Sequence, residues 1–517
     1  MLTVFCSLSS HTGGGNAPVY KRMKTISRLY ASSTLGALLV CFAPGPLAAQ
    51  IPDPNSEVQA LRSEVRELKA RLADIEAKLA AIPAVASPEP SVGTAPVTPI
   101  TTTAVPRSAI ESAAKPAPFA FGDFTWMNGQ NRQKSQPISN SFATVNLYLD
   151  TYYGYSFNQP RDDTIVGSGA VGRNTEWQIN NATIGVDTNY KNVLGKLTLQ
   201  TGNQLAVTQD LDGTVNRGRN LGVANNKYIG EALGGYHFNK LYGINVQAGY
   251  FYSYIGLESY LLAENWNYNR SFLSDFTPFY FSGARVQIFP TDKVKIEPWF
   301  MNGWQTYGKW SKNNSVGLSN YWRPHEYLGF VANFYYGTDT RDDPHRKRFH
   351  HDDSVLIRYF NRPQAAGISK MALSLNNHYG RQWDGVNPFP GRKEYMVGSS
   401  LANRIWFRHD LLAWSFRAEA VTNPGRYLSL LPTPQGFPPG PDNYSLRLWD
   451  FTSTFDVLPS DFLAFRFEFI SRHSNVPYFA GRGGTTSIDG WQGTPGHFVP
   501  DVSRHENRLT FAINWRM

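Results

Sequence analysis

Charged side chains occupy alternate positions in several short stretches of this sequence, with large apolar side chains between them. In an extended strand successive side chains point to opposite faces, so each stretch would carry its charges on one face and its apolar groups on the other. A charge that faces hydrocarbon costs about 2–4 kcal/mol at the midplane of a membrane, so the charged faces are expected to meet water or one another. The candidates for a charged, pore-lining wall are Arg285, Lys295, Glu297, Arg417, Glu419, Arg466, Glu468, Arg472 and Arg508.

Two roles are open to this set of charges. Fixed charges around a water-filled pore filter ions, because their field attracts one sign and repels the other. The same residues could form a paired scaffold inside the wall, since acid and base alternate, as in Lys295 and Glu297 or Arg417 and Glu419. The excess of basic residues favours a slight preference for anions, and leaves the selectivity open.

The elements that would position these charges are the strands of a membrane β-barrel. Aromatic residues make up 14% of the chain, with 27 Tyr and 32 Phe, yet the mean hydropathy is negative. Many aromatic residues without long apolar runs fit a sheet closed around a wet lumen, although a soluble all-β protein shares the alternation. Period-two alternation from residue 138 to residue 517 predicts about 16 strands. They are placed at 142–157, 177–190, 193–207, 226–238, 242–254, 279–289, 293–304, 315–322, 327–337, 354–360, 368–382, 395–408, 411–422, 444–457, 462–472 and 504–516.

The connections between the predicted strands alternate strictly between short and long. The short ones are two to four residues, such as 191–192 and 409–410, and the long ones include 158–176, 255–276, 338–353 and 473–503. Short periplasmic turns and long external loops are typical of outer-membrane barrels. This segregation favours an all-β, antiparallel transmembrane barrel over a soluble sandwich.

Several motifs in the barrel region resemble one known family. They are FGDFTWMNG from Phe121, IGLESY from Ile255, NWNYNRSF from Asn265 and PSDFLAFRFEFISRHSNVPYFAGRGG from Pro459. In these motifs the chain resembles the OmpL-like β-barrel porins of Gram-negative outer membranes, from about residue 119 to the C-terminus. The resemblance implies an outer-membrane pore and adds little about its solute.

One external loop, residues 255–276, has the composition of a constriction. It contains a short helical pattern at 258–265 and apolar residues such as Leu261 that need a surface to pack on. The barrel's inner wall could provide that surface, and folding over the rim or onto a neighbouring subunit is the alternative. The constriction-loop candidates are Glu258, Asn265, Trp266, Asn267, Tyr268 and Arg270.

The N-terminal part of the chain predicts a secreted protein with a periplasmic arm. Residues 1–22 read as an upstream extension from a misplaced start. Residues 23–49 then have a basic start, an apolar stretch and an Ala48-Ala49 cleavage site, as a signal peptide does. Both cysteines, Cys6 and Cys41, precede this site. Residues 83–118, rich in Pro and Ala, predict a disordered linker. Residues 119–137 predict a short pre-barrel segment that lies against the wall or enters the lumen.

Residues 55–82 carry apolar residues at three- and four-residue spacing and predict a short coiled coil in the periplasm. Leu72 with Ile75 and Leu79 with Ile82 shift the preference from two strands towards three or four. A homotrimer of barrels, with three parallel chain starts on one side of the membrane, is therefore expected. Contact of this coil with the cell wall is a further partner that the arrangement allows.

Other classes of function have weaker support. Residues 339–353 contain His345, His350 and His351 among carboxylates, which can bind a divalent metal, but a solvated external loop is favoured because nothing fixes the geometry. No GxSxG motif or other catalytic constellation is present, and no basic block suggests nucleic acid. We therefore expect no enzyme activity, no cofactor, no metal and no nucleic-acid partner.

The sequence thus predicts a porin in the outer membrane, surrounded by lipid, through which small hydrophilic solutes diffuse past an inward-folded loop. A substrate-specific channel for a sugar, an organic acid or a peptide is the first alternative. A structural protein whose barrel tethers a periplasmic coil to the envelope is the second.

Overall fold

The computed structural model describes residues 115–517 apart from 210–211, 213, 215–221, 310, 339–342, 388–392, 425–426, 428–444 and 483–501, together with Arg66 and Ala70. The predicted extension, the signal peptide and most of the linker lie outside the described residues. So does the predicted coiled coil at 55–82, except that Arg66 and Ala70 within it are helical.

Sixteen antiparallel strands form a closed barrel, as the alternation predicts. Each strand pairs with its neighbours in the chain, and β1 closes the ring on β16 in a register that joins Tyr148 to Arg516 and Ser156 to Arg508. The strands are β1 Ala143–Ser156, β2 Trp177–Tyr190, β3 Val193–Thr201, β4 Ile229–Phe238, β5 Ile244–Tyr252, β6 Tyr280–Thr291, β7 Val294–Met301, β8 Ser315–His325, β9 Leu328–Gly337, β10 Lys347–Asn361, β11 Ile368–Trp383, β12 Tyr395–Phe407, β13 Leu412–Asn423, β14 Leu446–Ser460, β15 Leu463–Ser474 and β16 His505–Arg516.

Alternation along the strands separates an apolar outer face from a polar inner face. On β16, Arg508 and Asn514 are buried inside the barrel, whereas Leu509 between them is 48% exposed on the outer surface. Large exposed apolar side chains recur in this way around the barrel, because the outer surface is shaped to meet lipid. The polar groups are therefore concentrated in the lumen.

Most strand boundaries lie within three residues of the prediction, and two differ by more. β3 ends at Thr201, where Gly202 takes a φ of 132°, and a short helix, α1 (Asn203–Thr208), follows in place of the predicted continuation to residue 207. β10 begins at Lys347, seven residues before the predicted start at 354, so His350 and His351 belong to a strand and not to a loop. The histidines and carboxylates at 350–353 make both faces polar there, which hides the two-residue period.

The loop between β5 and β6, residues 253–279, is built differently from the expected helix at 258–265. It contains a 3₁₀ turn at Leu262–Glu264 and a single helical turn, α3 (Phe272–Asp275). The helix α2 (Gly222–Asn226) lies earlier in the chain, before β4. Ser271 caps α3 by accepting a hydrogen bond from the backbone N–H of Ser274. Among the described residues, no helix has the length and apolar character needed to cross a membrane.

Candidate functional site

The β5–β6 loop reaches the strands on the far side of the barrel. In the ring of strands, β5 and β6 lie about half a circumference from β13 and β14. The buried guanidinium of Arg417 on β13 nevertheless donates to the backbone carbonyl of Asn269 at 2.6 Å and to the carboxylate of Glu258 at 3.1 Å. The backbone N–H of Phe272 donates to Glu419, also on β13, at 2.7 Å. Inner charges of β13 therefore bind the loop directly.

Charges on β15 and β16 bind the same loop. Glu468 accepts hydrogen bonds from the backbone N–H groups of Tyr268, at 2.6 Å, and Asn269, at 2.9 Å. Arg466 donates to the carbonyls of Leu262 and Asn265, both at 2.9 Å. These arginines and glutamates satisfy backbone groups of irregular chain that would otherwise be buried without partners.

Apolar packing accompanies these polar contacts. The ring of Trp266 meets that of Trp406 on β12 edge to face, with their centroids 5.9 Å apart. Both belong to a buried cluster with residues of β10 to β15, including Leu356 and Ala402. The loop thus has the packed surface that its apolar residues require.

A second segment, the N-terminal arm (residues 119–133), crosses the end of the barrel that carries the short turns. Phe119 donates its N–H to the carbonyl of Asp292, in the turn after β6, and Trp126 donates its indole N–H to the carbonyl of Glu326, in the turn after β8. At the other end of the arm, Arg132 donates to the carbonyl of Leu463, at the start of β15. The arm therefore connects opposite sides of the mouth that faces the periplasm in outer-membrane barrels.

The arm and the β5–β6 loop hold each other. Trp266 donates its indole N–H to the carbonyl of Trp126 at 3.0 Å and its backbone N–H to the side chain of Asn128 at 2.8 Å. Gly129 has a φ of 74°, and a Cβ added there would lie 2.0 Å from the carbonyl oxygen of Leu257. Only glycine permits both this conformation and this approach.

The first external loop, residues 157–176, contacts the β5–β6 loop and β15. The N–H of Gly169 donates to Asp275 at 2.9 Å, and Arg472 donates to the carbonyl of Gly167. Arg472 also pairs with Glu506 at 3.1 Å and lies over the ring of Phe272, 4.3 Å from its centroid. These contacts join the first loop to α3.

Charges on the opposite half of the wall keep access to water. The side chain of Lys196 on β3 is 33% exposed and bridges Asp187 on β2, at 3.6 Å, and Glu231 on β4, at 2.7 Å. The side chains of Arg285 on β6 and Lys295 on β7 are 20% and 14% exposed. They line the same side as an open cavity of about 460 Å³ beside the arm, whose polar groups include His237, Asn245, Lys295 and Arg323.

The nine predicted wall charges therefore fall into two groups. Six of them are buried and contact the β5–β6 loop: Arg417, Glu419, Arg466, Glu468, Arg472 and Arg508. Five form hydrogen bonds with it, Arg508 through the side chain of Asn269 at 2.6 Å, and Arg472 lies over the ring of Phe272. Arg285, Lys295 and Glu297 form a separate group, in which Glu297 is buried and pairs with Lys295 at 3.1 Å. The predicted loop residues Glu258, Asn265, Trp266, Asn267, Tyr268 and Arg270 are all buried.

Sequence reasoning missed Asp187, Lys196 and Glu231. Each is a lone charge in its strand, among glycines or small polar residues, so no alternation of acid and base marked it. The available signal was strand pairing: with Lys196 placed opposite Asp187 in the β2–β3 hairpin, the cross-strand pair follows from the register.

The histidine-rich segment is divided by the strand that runs through it. His350 faces inward, where its ring contacts His378 at 3.1 Å and the hydroxyl of Tyr427 at 3.0 Å, whereas His351 faces outward. Asp343, in the external loop, accepts backbone hydrogen bonds from Val386 and His345, and the bond from Val386 contributes most to lowering its pKa. Among the residues that the structure describes, no group of three or more His, Cys, Asp or Glu could hold a metal ion.

Comparison with known proteins places the chain among porins. The family described as "Putative beta-barrel porin-2, OmpL-like" matches residues 143–496. No curated protein matches the sequence significantly. Similar solved structures include the outer membrane channel DcaP of Acinetobacter baumannii, with a TM-score of 0.45 and 10% identity over 73% of this chain and 99% of that one. The anion-selective porin from Comamonas acidovorans has a TM-score of 0.44 and 6% identity over 72% and 99%. A trimer form of OmpT from Vibrio cholerae has a TM-score of 0.40 and 9% identity over 72% and 99%.

Proposed function

This chain belongs to the OmpL-like β-barrel porin family of the outer membrane, and we propose that its solutes pass along only one half of the lumen. The proposed path follows the exposed inner charges of β2 to β7. The β5–β6 loop is bound by the inner charges of β13, β15 and β16, and the N-terminal arm crosses the mouth that carries the short turns. Small hydrophilic solutes would then meet Asp187 and Lys196, and also Arg285 and Lys295 on the same wall.

The observation that carries this proposal is the uneven burial of the inner charges. Arg417 and Arg508 are completely covered, whereas the Lys196 and Asp187 side chains remain 33% and 43% exposed. A residue that a solute touches must be reachable by water, so the covered charges can act on the solute only through their field. In this proposal the loop narrows the pore from within and the buried charges are its anchors.

Cysteine accessibility during conductance recording tests the path. The only two cysteines, Cys6 and Cys41, precede the predicted cleavage site, so the mature barrel offers a thiol-free background. In planar bilayers, Lys196→Cys should lose current when a charged, water-soluble thiol reagent is added. Thr452→Cys is the matched control, because Thr452 is fully buried under the loop, where it accepts a hydrogen bond from Arg417. Equal modification of both positions, or of neither, would contradict the proposed path.

A substrate-specific channel is the second candidate. A narrow path favours it, as does a small cavity of about 110 Å³ where the arm, the loop and the wall meet, lined by Asn128, Tyr252, Glu258 and Arg323 among others. Polar and aromatic groups of this kind suit a sugar ring or a small organic acid. Block of the current by one class of solute, at concentrations where others have no effect, would identify this mode.

We also propose that the protein is a homotrimer held partly by the coiled coil predicted at 55–82, which would lie in the periplasm. The apolar spacing and the flanking charges of that segment support three parallel helices. A role as an envelope tether, with the coil meeting the cell wall, remains an alternative that an electrically silent but correctly folded protein would favour.

A further inference from the structure

The outer surface of the barrel carries a polar patch on β10 to β12. On β10 the outward-facing residues alternate with buried inner ones, and Ile357 and Tyr359 on this outer face are 36% and 53% exposed. His351 and Asp353 occupy the same outer face, with side chains 28% and 44% exposed. A histidine and an aspartate thus stand where a lipid-facing strand is expected to be apolar.

Hydrogen bonds extend the patch across four strands. Asp353 accepts from the side-chain amide of Asn377 on β11 at 2.9 Å, and Asn377 accepts from the hydroxyl of Ser399 on β12 at 2.7 Å. His351 lies 3.4 Å from Asp353 and contacts the backbone carbonyl of Asn333 on β9 at 3.0 Å. We name the four side chains His351, Asp353, Asn377 and Ser399 the outer polar patch.

The patch lies at hydrocarbon depth, between two bands of aromatic residues. Towards the external loops, Phe349 on β10 stands beside Tyr379 on β11, and Tyr336 stands beside Trp383. Towards the short turns lie Tyr359 and the stacked pair of Trp322 and Phe330. Aromatic bands mark the two interfaces of an outer-membrane barrel, so residues between them face the acyl chains or another protein.

The outer face of β14 to β16 is mostly apolar at this depth, with Ser453 as an outward polar residue between two phenylalanines. On β14 to β16 the outward side chains include Phe451, Phe455, Phe467, Phe469 and Leu509, all of which are strongly exposed. That wall suits lipid. A partly exposed carboxylate does not, because the bilayer core supplies neither water nor hydrogen-bond donors.

We propose that the outer polar patch is the surface on which a second copy of this chain packs in the membrane. At this depth only another protein wall can offer polar partners, since lipid headgroups lie beyond the aromatic bands. Ala332 pairs with Asp353 and Ala420 pairs with Ser399, so small side chains flank the patch and allow a neighbouring wall to approach closely. This inference rests on the proposed homotrimer, which supplies the second copy, and it names the strands through which the barrels meet.

Site-specific photo-crosslinking of the purified full chain in lipid vesicles tests the surface. A benzophenone maleimide attached to Ser399→Cys should yield a covalent species of twice the chain mass on a denaturing gel. Leu509→Cys is the matched control, because Leu509 is an outward residue of β16 with 48% exposure, and it should give lipid adducts without the dimer band. Lipid adducts alone at both positions would overturn the proposal.

A second variant separates the interface from the pore. Asp353→Leu removes the carboxylate of the patch and leaves the inner wall unchanged. If the patch meets another subunit, this variant should lose oligomer on native gels while the heat-resistant barrel and its conductance remain. If the patch faces lipid, leucine should leave the oligomer intact and raise the barrel's resistance to heat, which would contradict the inference. Lack of conductance in the unmodified protein would instead count against the proposed function.

Discussion

Among the described wall residues that bind the β5–β6 loop, Arg417 has the most polar partners. Its guanidinium reaches Glu258, the carbonyls of Asn269 and Arg270, and Asp450 and Thr452 on β14. Removing one partner of a buried ion pair leaves the other charge uncompensated, at a cost of about 3–5 kcal/mol. Arg417→Met should therefore lower the free energy of unfolding by about that amount and release the loop, which would raise single-channel conductance.

The control for this variant is Arg447→Met. Arg447 is on the adjacent strand, β14, but is exposed on the outer face, so its loss should change stability and conductance little. Denaturant unfolding and single-channel recording measure the two effects. An Arg417→Met barrel with unchanged conductance would mean that the loop is held without this anchor or does not obstruct the path.

Gly129 is the residue at which the arm and the loop are joined most closely. A side chain there would collide with the carbonyl of Leu257 and strain a backbone at φ 74°. Gly129→Ala should therefore separate the arm from the loop and increase conductance and its fluctuations. Gly234→Ala provides the comparison, because a Cβ at Gly234 meets nothing within 4 Å. Identical currents in the two variants would show that the contact does not control the path.

Single residues also show what the alternation of side chains along a strand can and cannot predict. Alternation alone assigned Arg417, Glu468 and Arg508 to the inner face, because an outward charge would face lipid. It could not show that each binds a loop some 150 to 240 residues away in the chain, Arg417 and Glu468 through its backbone and Arg508 through the side chain of Asn269. Contacts of that kind depend on the closed ring, which brings β5 and β13 to opposite sides of one lumen. Alternation therefore predicts which face of the barrel a side chain lies on, but not the residue that it contacts.

At the scale of elements, the β5–β6 loop and the N-terminal arm contact each other, and we propose that together they narrow the pore. Deleting residues 258–269 removes the loop's contacts with Arg417, Glu468 and Trp126, and deleting 119–133 removes the arm. Each deletion should raise conductance. After a single deletion the remaining segment has lost three hydrogen bonds but is still present, so the double deletion should raise conductance further. Water that enters the widened lumen would solvate the charges left without partners.

Heat-dependent mobility on gels must first show that each deletion variant forms a closed barrel. Among folded variants, unchanged conductance after loss of the loop would exclude it as the constriction. An increase after loss of the arm only would place the narrowest point at the periplasmic mouth.

The elements were predictable where one face is apolar and the other polar. β2 and the start of β11 agree with the prediction because their outer faces are mostly apolar, with Trp177, Ile179, Ile184 and Val186 outward on β2. The predicted range of β10 is too short because the outer polar patch interrupts the apolar series at His351 and Asp353. The helical turn at Phe272–Asp275 escaped notice because it is one turn long and depends on capping by Ser271 and on Glu419.

At the scale of the whole molecule, the expected trimer depends on residues 55–82. The apolar positions are Val58, Leu61, Val65, Leu68, Leu72, Ile75, Leu79 and Ile82. Glu57 with Arg62, Glu64 with Lys69 and Arg71 with Glu76 could pair between parallel neighbours. Each such pair is worth only tenths of a kcal/mol, so the charges choose partner and orientation more than they stabilise.

A peptide of residues 55–83 should therefore show helicity that rises with concentration, and a trimeric mass at high concentration. A helix of this length spans about 40 Å at 1.5 Å per residue and is marginal alone, so tethering to the barrels must raise the effective concentration of the three strands. Replacing Leu68 and Ile75 by Asn should abolish assembly, whereas replacing the outward Ala70 by Gln should preserve it. A monomeric helix, or a dimer that persists at every concentration, would leave the outer polar patch as the proposed contact between barrels and assign residues 55–82 to another periplasmic partner.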